Sequence, residues 1–266
     1  IIGNNGTVLI ANGEIYNHLT LRSDLNYNWK TSGDSEVILA VHDDFLKKGG
    51  GNDHTQWIKT LNGMFSFALW DANREELILA RDALGIKPLF RCEIDGSLLF
   101  ASEIKAFHAH ESYRPNFDDI SLALRLSWEY TLDSSTLIAG VHQVRPGSVE
   151  VWKLDANSKP YLSSVANFER QKITPVADWN PQTDSKSLLE SFTVSVQERL
   201  MADVPVGIVL SGGLDSSLVA AVAREAAERE GKPVPACWTV AESEENPDWI
   251  AAENVASSLD LVHHQS

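Results

Sequence analysis

Residues 205–217 read Pro205-Val-Gly-Ile-Val-Leu210-Ser211-Gly-Gly-Leu-Asp-Ser-Ser217. The first part, Val204–Leu210, is a short apolar run of buried-strand type, and two glycines carry the chain from it into a helical pattern over Ser217–Glu230. A glycine-rich turn between strand and helix offers free backbone N–H groups at the positive end of the helix dipole, which makes an anion site. Gly212 and Gly213 let the backbone approach an anion closely, and Ser211, Ser216 and Ser217 add hydroxyl donors. No lysine follows the glycines, so this is not the loop that grips a γ-phosphate through Gly-x-x-x-x-Gly-Lys. Asp215 instead supplies a carboxylate, the kind of ligand Mg²⁺ takes beside phosphates. Helix capping calls for one Ser, Asp or Gly and not a run of them, so a phosphate site is expected here.

Outward from the loop the pattern stays α/β. Leu188, Leu189, Phe192, Val196 and Leu200 mark a helix before it, and Val234–Val240 and Pro247–Leu259 mark a strand and a helix after it. Residues 185–266 therefore read as the beginning of a doubly wound parallel sheet. Upstream, residues 155–184 hold Pro160, Pro175 and Pro181 among many Ser, Asn and Asp residues, which predicts a linker. Residues 1–154 form the other domain. There residues 7–17 predict a strand running into a turn at Asn12-Gly13, and Ser35–Leu46 predicts a helix with Asp34 at its N-cap. Met64–Trp70 and Leu77–Ala80 predict a hairpin, with further strands at 88–94 and 98–102.

Composition sets the outer limits. Hydrophobic residues at 43% and charged residues at 22% describe an ordinary globular protein. A formal charge of −15 with no Lys/Arg cluster argues against a nucleic-acid partner. No apolar run approaches the ~18 residues of a membrane span. Cys92 and Cys237 each sit in a strand-like apolar stretch, the setting of buried small hydrophobes in a reducing, cytoplasmic-type compartment. His263 and His264 read as strand-end residues and not as metal ligands.

Five strings in the first domain say little one at a time. Asn12-Gly-Glu-Ile-Tyr-Asn17 alone suggests a turn and Thr31-Ser-Gly-Asp-Ser-Glu36 a helix cap. Leu61–Asp71 looks like core strand, while Arg81–Leu89 and Ala101–Ala106 suggest structural ion pairs. In this order and ahead of the Ser211–Ser217 loop, they resemble the glutamine-dependent asparagine synthetases (the asparagine synthetase B family). Gly140–Ser148 and Met201–Val206 extend the resemblance, and residues 155–184 match least. The loop itself resembles that of the ATP pyrophosphatases, which adenylate a carboxylate.

The resemblance implies an N-terminal-nucleophile αββα sandwich that frees ammonia from glutamine, followed by a domain that adenylates aspartate and lets ammonia displace AMP. It implies that Asn12 and the Gly13 N–H form an oxyanion hole, and that Glu14 and Asp34 hold the glutamine α-amino group. Leu210, Ser211, Gly212, Gly213, Asp215, Ser216 and Ser217 would bind ATP and Mg²⁺, with Val240 on the adenine. The implied partners are glutamine, aspartate and ATP, with a homodimer as a possible assembly. The family's nucleophile is an N-terminal cysteine, and no cysteine precedes Cys92. The expectation is therefore a piece of a longer product, lacking both ends and inactive by itself. Two other readings stay open, a related ligase such as a β-lactam synthetase and a non-catalytic paralogue.

Overall fold

Alternating burial builds the first sheet. In Val8–Ile15 (β1), Leu9 and Ile15 are buried while Val8, Ile10 and Asn12 are exposed, so odd residues face the core. The computed structural model describes residues 1–131, 133–168 and 179–266. The chain divides into two compact units, Ile1–Ile173 and Thr174–Ser266.

In the first unit β1 is followed by helices His18–Asp24 (α1), Glu36–Lys47 (α2) and Thr55–Ile58 (α3). Strands Gly63–Asp71 (β2), Glu76–Arg81 (β3), Phe90–Ile94 (β4) and Ser97–Ala101 (β5) come next, then a 3₁₀ helix over Ile104–Ala109 and Asp119–Trp128 (α4). Val141–Gln143 (β6), Ser148–Leu154 (β7) and Pro160–Asn167 (β8) complete it. One antiparallel sheet runs β1-β2-β3-β7-β8 and another β5-β4-β6. The larger sheet packs Leu9, Ile15, Phe67, Leu69 and Ile78 against Val37, Ile38 and Val41 of α2 and Trp57 of α3. Its other face packs Ala68, Leu79 and Trp152 against Leu98 and Phe100 of β5. Beyond the smaller sheet, Cys92, Leu99 and Val141 meet Phe107 and Tyr113. Helix, sheet, sheet and helical segment follow in layers, which is the αββα arrangement.

Three expectations are corrected. β1 does not stop at a turn at Asn12-Gly13, because Asn12 pairs with Ser66 and Gly13 with Phe65 in an unbroken ladder. A Cβ on Gly13 would fall on the Met64 carbonyl oxygen and 2.7 Å from Phe65 Cα, and φ is +152°, so glycine is there for close strand approach. α2 has Ser35 at its cap position, and Asp34 is used elsewhere. The predicted linker, 155–184, contains β8, which pairs with β7 from Ser148↔Asn167 to Leu154↔Pro160. β8 reads as a connection because it is an edge strand whose residues are mostly exposed, with Pro160 at its first position, where proline is tolerated. Pro181 likewise opens a helix, and Pro175 lies outside the described residues.

The second unit runs Pro181–Arg199 (α5), Gly207–Val209 (β9), Leu214–Glu230 (α6), Ala236–Thr239 (β10), Pro247–Ser258 (α7) and His263–Gln265 (β11). Its parallel sheet has the order β11-β10-β9. Each successive strand joins on the same side, so right-handed crossovers place α6 and α7 on one face. There Val196 of α5, Ala220 and Ala223 of α6, and Ala252 and Ala256 of α7 pack on Ile208, Leu210 and Cys237. On the opposite face Val209 and Trp238 are exposed, and Trp238 stacks on His264 with ring centroids 4.9 Å apart.

Candidate functional site

The first predicted group lies on the outer edge of β1. Tyr16 N–H donates into the sheet, to Asn62 O at 2.7 Å, so peptide groups of the other parity point outward. At one end, Leu9 N–H donates to Ile1 O and Leu9 O accepts the Ile1 α-amino group, both at 2.8 Å. At the other end, Ile15 N–H donates to Asp34 Oδ2 at 2.6 Å. The Gly13 N–H belongs to this edge, between those two anchors. Asp34 Oδ1 accepts from Ser35 N–H at 2.7 Å, so its carboxylate ties the start of α2 to the end of β1.

Asn12 and Glu14 point across the other face of β1, opposite Ser66 and Met64. Asn12 is exposed, and its Nδ2 donates to Ser102 Oγ at 3.2 Å. Glu14 is half-buried, next to the residue that Asp34 binds. The structure thus gathers Asn12, Gly13, Glu14 and Asp34 at one end of one strand, although Asp34 comes from a different element.

Sequence reasoning missed what supports this end. Arg81 and Asp82 read as ion-pair residues, but their hydrogen bonds go mainly to backbone, with Arg81 Nη1 also donating to Gln143 Oε1 at 3.1 Å. The buried Arg81 guanidinium donates to Lys87 O at 2.7 Å, Gly85 O at 2.8 Å and Val144 O at 3.0 Å. Asp82 accepts from Leu84, Ile86 and Lys87 N–H at 2.9–3.1 Å. The loop they hold brings Pro88 O to 3.0 Å from Ser66 Oγ, directly across the sheet from Asn12. Its signal was the repeated need for buried backbone acceptors in a loop of glycine and proline, which no periodicity reports. In the other string Lys105 and Glu103 do pair, at 2.8 Å on the surface.

Cys92 is buried between Leu99 and Val141, and burial pushes its thiol above the ordinary value, with Glu93 adding to the shift. That setting is the reverse of an activated thiolate.

The second group lies at the carboxyl ends of the parallel strands, where ligands bind in open α/β sheets. Gly212 has φ +75°, and a Cβ there would lie 2.5 Å from Ala251 and Ala252 of α7. Only glycine lets the loop sit that close to the helix. Gly213 is the N-cap of α6 and provides no capping side chain. Its carbonyl collects Ser217 N–H at 3.0 Å, Ser217 Oγ at 2.7 Å and Ser216 Oγ at 3.2 Å. Ser211 Oγ is 3.1 Å from Ser216 Oγ, closing the loop on itself. The first-turn N–H groups of α6 have no intrahelical partner, and a bound phosphate would satisfy them.

Asp215 and Val240 are both exposed around this loop. Leu210 differs, because its side chain is buried in the core and its backbone alone reaches the loop. Among the described residues no group of three or more His, Cys, Asp or Glu could hold a metal ion. Asp215 therefore fits Mg²⁺ only in the way one carboxylate does, sharing an ion otherwise held by phosphates and water.

Comparison with known proteins agrees with this division. A family described as "Glutamine amidotransferase domain" matches residues 2–162, and one described as "Asparagine synthase" matches residues 187–266. Asparagine synthetase B [glutamine-hydrolyzing] of Escherichia coli (strain K12) is 32% identical over 269 residues, covering 97% of this chain and 41% of that protein. A probable asparagine synthetase [glutamine-hydrolyzing] of Schizosaccharomyces pombe is 36% identical over 277 residues, covering 97% of this chain and 42% of its own length. Amidase chyE of Penicillium rubens is 36% identical over 223 residues, covering 79% of this chain and 30% of that protein. The chain thus spans 30–42% of the length of these relatives. With both segments matched in order, the chain belongs to the glutamine amidotransferase family and has the two-part layout of the asparagine synthetases.

Proposed function

We propose that the protein of which this chain is part makes asparagine from aspartate, ATP and the amide nitrogen of glutamine. The observation that carries the reading is the uncapped, glycine-lined loop at Ser211–Ser217, in one chain with a glutamine amidotransferase domain.

In the first unit, the Gly13 N–H on the β1 edge and the Asn12 amide would donate to the oxyanion that forms when the glutamine carboxamide is attacked. Preorganised donors of this kind stabilise developing charge without reorganising. Glu14 and Asp34 would take the substrate's α-ammonium group through charge-assisted hydrogen bonds. Cys92, with its thiol pushed up by burial, is not the attacking group.

In the second unit, the backbone N–H groups and the hydroxyls of Ser211, Ser216 and Ser217 would hold the ATP phosphates, with Leu210 contributing backbone alone. Val240, exposed beyond β10, would lie against the adenine. Mg²⁺ at Asp215 would neutralise phosphate charge. The aspartate carboxylate displaces pyrophosphate at the α-phosphorus, and ammonia then attacks the acyl carbon and expels AMP. Both cysteines are free and buried, as expected of a reducing, cytoplasmic setting. No helix among the described residues is long and apolar enough to cross a membrane.

Asp215→Asn in the full-length protein tests the assignment. Amide formation should vanish with glutamine or with ammonia as nitrogen donor, while glutamine hydrolysis persists. Intact ammonia-dependent synthesis would refute it. The 266-residue chain should release no ammonia from glutamine, and any release abolished by Cys92→Ser would restore that cysteine as nucleophile.

A further inference from the structure

Leu210 is the last residue before the chain leaves the parallel sheet for the loop. Its N–H remains in the ladder and donates to Trp238 O at 2.8 Å. Its carbonyl oxygen accepts the Thr239 hydroxyl at 2.6 Å, a buried contact. The peptide joining Leu210 to Ser211 is trans, so its N–H points opposite to its C=O. Pinning the carbonyl therefore fixes where the Ser211 N–H is aimed, and it faces the loop, 3.4 Å from Ser216 Oγ.

A third group sets the Thr239 hydroxyl. His263 Nε2, on β11, lies 2.8 Å from Thr239 Oγ1. A hydroxyl has one proton, and the Leu210 carbonyl can only accept. The Thr239 proton must go to Leu210, so His263 must donate from Nε2 to the hydroxyl oxygen. Burial lowers the affinity of His263 for a second proton and His264 adds to this, while Glu253 on α7 opposes it. Thr239 is buried, and His263 is half-buried.

We infer that Thr239 and His263 are positioning residues for the phosphate loop: the relay from His263 Nε2–H through the Thr239 hydroxyl to Leu210 O aims the Ser211 N–H into the anion site. The inference rests on the phosphate-binding reading of Ser211–Ser217. It extends the site to two residues, neither of which touches the nucleotide.

The experiment uses the 266-residue chain with MgATP as the probe. Calorimetric titration gives affinity, and heteronuclear NMR gives the Ser211 amide resonance and the His263 tautomer. Thr239→Val, which keeps the shape and removes the hydroxyl, should shift the Ser211 amide and raise Kd about tenfold, the loss expected for one charge-assisted hydrogen bond. Thr239→Ser, which keeps the hydroxyl, should restore both. If Thr239→Val does not fold, His263→Leu should move the same amide in the same direction. A proton on His263 Nδ1, or a Ser211 amide unmoved by the variant that folds, overturns the positioning claim. Wild-type chain that binds no MgATP overturns the phosphate reading, and the amide shifts then still decide the claim about Thr239.

Discussion

The outer edge of β1 and the loop after β9 both offer backbone N–H groups to a negative charge, and they are held in opposite ways. On the β1 edge, Gly13 is framed by groups brought from far along the chain. Asp34 binds a residue 19 positions away, and Ser102 binds Asn12 across 90 positions. In the loop, the hydrogen bonds join Ser211, Gly213, Ser216 and Ser217, at most five residues apart. Among the described residues, the press of α7 on Gly212 and the Thr239 contact to Leu210 O come from elsewhere. The edge depends on its whole domain, whereas the loop is mostly self-contained.

The largest expected effect tests the edge. In the full-length protein, Asn12→Ala should lower glutamine hydrolysis ~10²–10³-fold, the usual loss for one oxyanion donor. Ammonia-dependent synthesis should hardly change, because it bypasses the first unit. Ser102→Ala removes the partner that orients the Asn12 amide and should act in the same direction with a smaller loss. Steady-state rates with glutamine and with ammonia check both variants. Equal loss on the two nitrogen sources would mean that Asn12 serves the fold and not the reaction.

The same contrast explains what the sequence revealed. The Ser211–Ser217 string is contiguous, so the order of strand, turn and helix was legible from residue types alone, although the strand is shorter, Gly207–Val209, and the helix starts at Leu214, three residues before the expected Ser217. The β1 edge was legible only through resemblance, because its members are scattered and individually ordinary. Asn-Gly at 12–13 is a strong turn signal, and it failed because the glycine meets a need for close strand packing and not for a turn. Asp34 looked like a helix cap because caps and inter-element ties use the same side chain. β8 was hidden because edge strands carry little apolar alternation, and Leu162 and Val165 are exposed.

Acid should separate the units next. Buried behind the sheet of the first unit, His42 Nε2 lies 3.8 Å from Asp71 Oδ2, and His54 Nε2 lies 3.3 Å from Glu76 Oε2. Burial pushes His42 down to about 4, although Asp71 pulls the other way. Burial also lowers His54, against Glu76. A histidine whose folded pKa lies below its unfolded value near 6.5 takes up its proton more readily when unfolded. Its contribution is therefore fully present above about pH 6.5 and is lost as pH falls toward about 4. For His42 the loss across that window is on the order of 3 kcal/mol. Urea unfolding of the first unit at pH 7.5 and 4.5 should show it, and His42→Gln should flatten the dependence. An unchanged pH dependence in that variant would move the effect to other groups.

The smallest effect bears on how self-contained the phosphate loop is. Asn246 caps α7, its side chain accepting from Asp248 N–H at 2.9 Å, and Asn180 caps α5 in the same way, from Gln182 N–H at 2.9 Å. Both helices have proline in the first turn, so the two caps are chemically alike. Asn246→Ala and Asn180→Ala should each cost about 1 kcal/mol of stability, the usual cost of losing a cap. Their effect on the loop should differ. The backbone of α7 at Ala251 and Ala252 lies where any side chain on Gly212 would have to go, so fraying of α7 leaves the loop less supported. α5 reaches α6 at the opposite end of that helix from the loop, where Gln197 Nε2 donates to Glu230 Oε1. MgATP affinity should therefore fall two- to threefold in Asn246→Ala and stay unchanged in Asn180→Ala, at equal loss of thermal stability. Equal affinities would show that the loop holds its shape without α7. Gly212 would then be required by its own φ of +75° and not by its neighbour.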